Sequence, residues 1–176
     1  MTQFLSSDTR PALAAGTYRI DPARSRVHFT IKEAFGLQTT RGTFTVRDGT
    51  VVVAAVPEDS TASATIDAAS FATDKAKRDK TVVSKRFLDA ATHPTITFAT
   101  TRLAREDGRW VLHGTLTVRG SQCPVALTIG RAAATVDGCR FTAVTRVDRH
   151  ATPVRVARGM IGRYLDVELD AYAVAR

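Results

Sequence analysis

Thr95–Gly120 reads TITFATTRLAREDGRWVLHGTLTVRG, and this stretch decides the fold. Ile96 and Phe98 share one face before Asp107-Gly108; after it Trp110, Leu112, Leu116 and Val118 share one register, with Gly114 among them. Successive strand side chains point to opposite faces, so this alternation marks a dry face and a wet one. Asp-Gly between two such runs supplies the positive φ that a tight turn needs. The stretch is therefore read as an antiparallel hairpin, with Gly114 relieving crowding on its dry face.

Working outward, Asp48-Gly49 and Asp137-Gly138 also lie between alternating runs and predict two further hairpins. Val27, Phe29 and Ile31 face one way, with Arg26, His28, Thr30 and Lys32 opposite; Phe44 and Val46 precede Asp48-Gly49, and Val51 to Val56 is read as the returning strand. Ala62, Ala64 and Ile66 alternate, as do Val125, Leu127 and Ile129, then Phe141, Ala143 and Val147, and finally Leu165, Val167, Leu169 and Ala171. With Tyr18 to Asp21 as an opening strand, this gives about eight main strands, the usual number for a closed antiparallel barrel holding one small ligand. A two-sheet sandwich fits the same periodicity. Ser70 to Asp89 breaks the alternation and predicts one or two short helical turns covering an opening.

The chain has 176 residues, sized for one domain, with residues 1–15 expected as a loose lead-in and 16–176 as the barrel. The net charge is +8 and the isoelectric point near 10.2, yet the basic residues are scattered, which favours a solvated basic surface over a nucleic-acid footprint. No apolar run approaches the length needed to span a bilayer and the first residues lack a signal-peptide core, so a cytoplasmic location is expected. Cys123 and Cys139 fall near opposite ends of the predicted Asp137-Gly138 hairpin, beyond disulfide reach. His28, His93, His113 and His150 are dispersed, and no nucleophile-elbow or zinc-protease motif occurs, so no catalytic residue, metal or cofactor is assigned.

The order of several blocks carries a resemblance. Tyr18-Arg19-Ile20-Asp21 with Ser25, Val27 and Phe29; Gly42-Thr43-Phe44; Arg78-Asp79; Phe87-Leu88-Asp89 leading to His93-Pro94-Thr95-Ile96-Thr97-Phe98; and Gly114 to Gly120 with Pro124-Val125 together resemble the YceI-like family of lipocalin-like polyisoprenoid-binding proteins. The resemblance runs from about Gly16 to the C-terminus and implies an all-β, single closed eight-stranded lipocalin-like barrel with a short helical segment near one opening. It also implies non-catalytic binding or carriage of a long isoprenoid-like lipid, of polyprenyl or quinone type. The sequence departs from the family at Arg24, Glu33 and Thr81, where members often carry His, and at His150 to Pro153, where an aromatic-Gly ending is usual.

Such a barrel needs an apolar interior, a polar opening and a cover. Phe29, Phe44, Ile66, Phe98, Leu116 and Leu127 lie on the alternating apolar faces, and Phe71, Phe87 and Leu88 fall in the covering segment. Arg78, Asp79 and Arg149 are the candidates for contact with a head group, and surface ion pairing is the alternative for each. Lys75, Lys77, Lys80, Lys85 and Arg86 near the cover fit at most transient contact with an anionic membrane surface. An apolar patch or an edge strand would permit a homodimer. Two other functions compete: a nucleic-acid-binding barrel using the basic surface, which requires exposed aromatic residues, and an enzyme with a polar cluster deep in the cavity.

Overall fold

The computed structural model describes residues 13–154 and 160–176; most of the expected lead-in, residues 1–12, lies outside the described residues. The strands are β1 Gly16–Ile20, β2 Arg26–Glu33, β3 Gln38–Val53, β4 Thr61–Asp67, β5 Thr95–Glu106, β6 Arg109–Val118, β7 Ser121–Ala134, β8 Gly138–Asp148 and β9 Ile161–Ala175. All pairings are antiparallel, in the order β1-β3-β2-β9-β8-β7-β6-β5-β4, with β3–β4 and β1–β9 closing the sheet into a barrel.

Although nine strands are named, the barrel is eight-stranded at every level. Strand β2 pairs with the first part of β3 and with β9 from Ile161 to Asp170, while β1 pairs with the second part of β3 and with Ala173–Ala175. The two therefore share one position in the wall, interrupted by residues 21–25.

Asp107-Gly108 forms the tight turn expected of it, with φ of 48° and 77°. Asp137-Gly138 does lie at the β7–β8 connection, but Gly138 opens β8 without positive φ, and a Cβ there would sit 2.0 Å from the Ala173 carbonyl oxygen. The turn expected at Asp48-Gly49 does not form. Strand β3 runs through it from Gln38 to Val53, so Val51 to Val53 continues the same strand rather than returning. A register shift between Val46 and Asp48 bends the strand there, and a Cβ on Gly49 would meet Ile20 Cδ1 at 2.5 Å and the Ser63 carbonyl oxygen at 2.7 Å. This glycine permits a close approach at a bulge instead of a reversal.

The segment that breaks the strand period contains the one α-helix among the described residues, α1 (Ala76–Val83). It lies at the end of the barrel where β2, β4, β6 and β8 finish, and several contacts hold it there. Ala72 and Thr43 exchange backbone hydrogen bonds of 3.0 and 2.9 Å, Ala68 N–H donates to the Pro94 carbonyl, and Arg119 Nη1 donates to the Phe87 carbonyl at 2.9 Å. Phe87, Leu88 and Ala90 are buried beneath this cover. No helix among the described residues is long and apolar enough to cross a membrane.

Candidate functional site

The inward faces of the strands enclose an elongated cavity of about 240 Å³. Its wall comes from alternate residues: Val27, Phe29 and Ile31 of β2, Phe44 and Val46 of β3, Ala64 and Ile66 of β4, Ile96 and Phe98 of β5, Leu116 and Val118 of β6, Val125 and Leu127 of β7, and Leu165, Val167 and Leu169 of β9. Phe71, Val82, Phe87 and Leu88 of the cover close it at the mouth. Of its thirty lining residues only six are polar: Glu33, Thr40, Arg78, Thr145, Arg149 and Thr152.

The eight apolar candidates named from the sequence, Phe29, Phe44, Ile66, Phe71, Phe87, Phe98, Leu116 and Leu127, all border this one space. Three of them form an aromatic cluster under the cover: Phe29 stacks on Phe71 with centroids 5.0 Å apart, and Phe44 lies 5.6 Å from Phe29 and 5.5 Å from Phe71. Phe98 and Leu116 continue into a second packed group with Leu103 and Leu112 toward the other end. Gly114 has the role read from the sequence, since a Cβ there would come within 2.4 Å of the Phe98 ring.

The polar candidates separate. Arg78 borders the cavity and is half-buried, with Nη2 3.4 Å from Glu33 Oε2 and Nη1 3.3 Å from Asp74 Oδ1. Asp79 does not border it. Its carboxylate accepts from the Thr73 hydroxyl at 2.6 Å and the Thr73 N–H at 3.0 Å, so it ties down the chain entering α1. Arg149 is buried at the mouth and donates to the carbonyls of Val154, Ile161 and Gly162 at 3.0, 3.0 and 3.1 Å, bracing the chain that leads into β9.

Two residues absent from the sequence-based set complete the polar mouth. Thr40 is buried and donates its hydroxyl to Glu33 Oε2 at 2.7 Å. Glu33, Thr40 and Arg78 thus form a hydrogen-bonded acceptor, hydroxyl and cation at the rim of an otherwise dry space. The signal in the sequence was Glu33 at the end of a run whose other odd positions are apolar.

The outer surface differs in kind. Arg140 is bidentate to Asp170, and Arg146 pairs with Asp166 and Arg163 with Asp148. His113 is paired with Glu106, and His28 stands opposite Glu168 on the outer face. Beside it runs an open groove of about 460 Å³ between β2, β9, β8 and β7, which shares Thr145 and Val167 with the interior. Here the pairing of β7 with β8 stops at Thr128 and Val144, and the Thr145 hydroxyl reaches the Ala126 carbonyl at 2.7 Å.

Asp148 supplies a titration marker for the mouth. The bidentate hydrogen bond from Arg163, reinforced by the His150 N–H, lowers its carboxyl from 3.8 to about 2. A carboxyl depressed in the folded state stabilises it fully above the ordinary value, and that contribution is lost as pH falls through about 2. Asp148→Asn is therefore expected to flatten the acid limb of the stability profile between pH 4 and 2, the span bounded by those two values, and to leave the neutral-to-alkaline limb unchanged in shape. Urea unfolding across that range checks it; an acid limb identical to that of the unsubstituted chain would refute the assignment.

Comparison with known proteins adds to this geometry. The YceI-like domain matches residues 18–173. The Protein YceI sequences of Salmonella arizonae and Salmonella heidelberg are each 33% identical over 122 residues, covering 68% of this chain and 63% of the relative, so the match spans less than two thirds of their length. Among solved structures, Burkholderia cenocepacia BcnA superposes with a TM-score of 0.70 at 24% identity over 86% of this chain and 98% of that one. The Campylobacter jejuni YCEI protein gives 0.52 at 21% identity over 66% and 72%. At those identities the structural likeness concerns the fold.

Proposed function

The chain belongs to the YceI-like domain family, and on that premise we propose that its barrel binds and carries one long hydrophobic isoprenoid-like lipid, of polyprenyl or quinone type, without catalysis. The observation that carries the reading is the distribution of polarity. Apolar side chains from all nine strands surround the interior, and of the six polar lining residues all but Thr145 stand at the mouth. An apolar chain transferred there from water gains about 0.8 kcal/mol per buried CH₂ without any directional contact. Its polar end group would lie at the rim, where Glu33 accepts hydrogen bonds and Arg78 and Thr40 donate them. Among the described residues the deep wall offers no acid–base pair or nucleophile to a bound chain, which favours binding over turnover.

Native mass spectrometry of the purified protein, before and after organic extraction, tests this directly. A bound mass of several hundred daltons that passes into the organic phase is expected, on the order of a small lipid. Ala64 lines the cavity on β4, opposite Phe98 of β5, and Ala64→Phe places a ring in the lumen. That variant is expected to lose lipid occupancy at least about tenfold while its unliganded form keeps its melting temperature, because the ring fills empty space. A folded Ala64→Phe protein with undiminished lipid, or a purified protein with nothing extractable that also fails to take up added polyprenol or quinone, would defeat the reading.

A further inference from the structure

The loop joining β2 to β3 stands at the mouth and presents large apolar side chains to water. Phe35 is 81% exposed and Leu37 87% exposed, and Met160, at the entry to β9, is 62% exposed. The three belong together, since the Ala34 N–H donates to the Met160 carbonyl at 2.7 Å. The backbone holds Phe35 at φ 56° and ψ 34°, and Ala34 at φ 48°, in the left-handed region that residues with a side chain seldom enter. A bulky aromatic residue is thus presented to water in a disfavoured conformation, and no packing among the described residues accounts for it.

Basic residues surround this apolar tip. Lys32 is exposed on the strand leading into it, and α1 is fastened to its base by the Arg78–Glu33 ion pair, which brings exposed Lys75, Lys77 and Lys80 to the same rim. The nearby carboxylates of Glu33 and Asp74 are both engaged by Arg78, and Asp79 is engaged by Thr73. None of those four lysines has an ion-pair partner among the described residues. Bare apolar side chains ringed by uncompensated lysines are complementary to an anionic bilayer, whose acyl boundary takes the former and whose head groups attract the latter.

We propose that the tip formed by Phe35, Leu37 and Met160, with Lys32 and the lysines of α1, is a docking surface for an anionic lipid bilayer. Phe35 and Leu37 enter the interface, the lysines rest on the head groups, and the mouth of the barrel is turned toward the membrane. The docking stands independently of what fills the barrel; only its use in loading a lipid rests on the function proposed above.

Co-sedimentation with vesicles tests it, using phosphatidylcholine mixed with phosphatidylserine and phosphatidylcholine alone. Binding to the mixed vesicles, weakened by added salt and much reduced on phosphatidylcholine alone, is expected. The Phe35→Asp/Leu37→Asp double variant is expected to lower that binding at least about tenfold, and Lys75→Glu/Lys77→Glu to abolish its dependence on phosphatidylserine. All four positions are exposed, so both variants are expected to keep the parent circular dichroism spectrum and melting temperature. Unchanged vesicle binding in the Asp variant overturns the proposal. So does a protein that ignores vesicles but sediments as a dimer dissociated by that variant, which would make the tip a contact between copies. Because the vesicle readout needs no barrel ligand, its failure and failure to extract a lipid are separate results.

Discussion

Phe29→Ala is expected to lower the stability of the barrel by about 3–5 kcal/mol, the range for emptying a buried aromatic site. Phe29 is 3% exposed, stacks on Phe71 of the cover and tilts against Phe44 of β3, so one ring joins two strands of the wall to the cover. Its seat is shaped for it: a Cβ on Gly42 would lie 2.4 Å from the Phe29 Cζ atom, and the other atom crowding that position is the Ala72 carbonyl oxygen of the covering segment. Its neighbours in the wall cannot collapse fully into the vacated space, because they belong to strands fixed by hydrogen bonds on both sides. Urea unfolding is expected to show an earlier midpoint with an unchanged slope. A loss below about 1 kcal/mol would mean that the aromatic cluster does not join the cover to the wall.

Arg149→Met is expected to cost about 3 kcal/mol or more, since hydrogen bonds to a charged group are worth about 1.5–3 kcal/mol each and several are lost together. Methionine keeps most of the apolar stem, so the loss reports the guanidinium. Its bonds to Val154, Ile161 and Gly162 join the end of β8 to the chain entering β9. Arg149→Lys is expected to restore little, because one ammonium cannot reproduce the planar fork that reaches three carbonyls. Hydrogen exchange by mass spectrometry should show deprotection confined first to 149–154 and 160–164. Uniform deprotection, or rescue by lysine, would refute the bracing role.

Reading the sequence succeeded where a local rule had no competitor. Thr95–Gly120 could pair with itself at once, and the structure has its turn at Asp107-Gly108. The same dipeptide at Asp48-Gly49 misled, because the glycine there answers to Ile20 and Ser63, residues distant in sequence whose approach no local pattern announces. The apolar set of the cavity was legible because alternation dictates a face. The polar set was not: Arg78 and Asp79 are neighbours, yet a helical step sends one toward Glu33 and the other back to Thr73. Glu33 and Thr40 meet only because the β2–β3 ladder turns between them. Phe35 and Leu37 extend the odd-numbered series of Val27, Phe29 and Ile31, so periodicity alone would place them inside. The chain reverses at Ala34 and delivers them to the surface instead.

The incomplete ladder between β7 and β8 bears on what girth of molecule the barrel accepts. Elsewhere a wider guest would have to break a row of backbone bonds, but past Thr128 and Val144 the β7–β8 ladder has ended and the Thr145 hydroxyl on the Ala126 carbonyl spans the gap. The tube therefore has an expansion joint along part of its length, and on the proposed function thickness would be the ligand dimension it constrains least there.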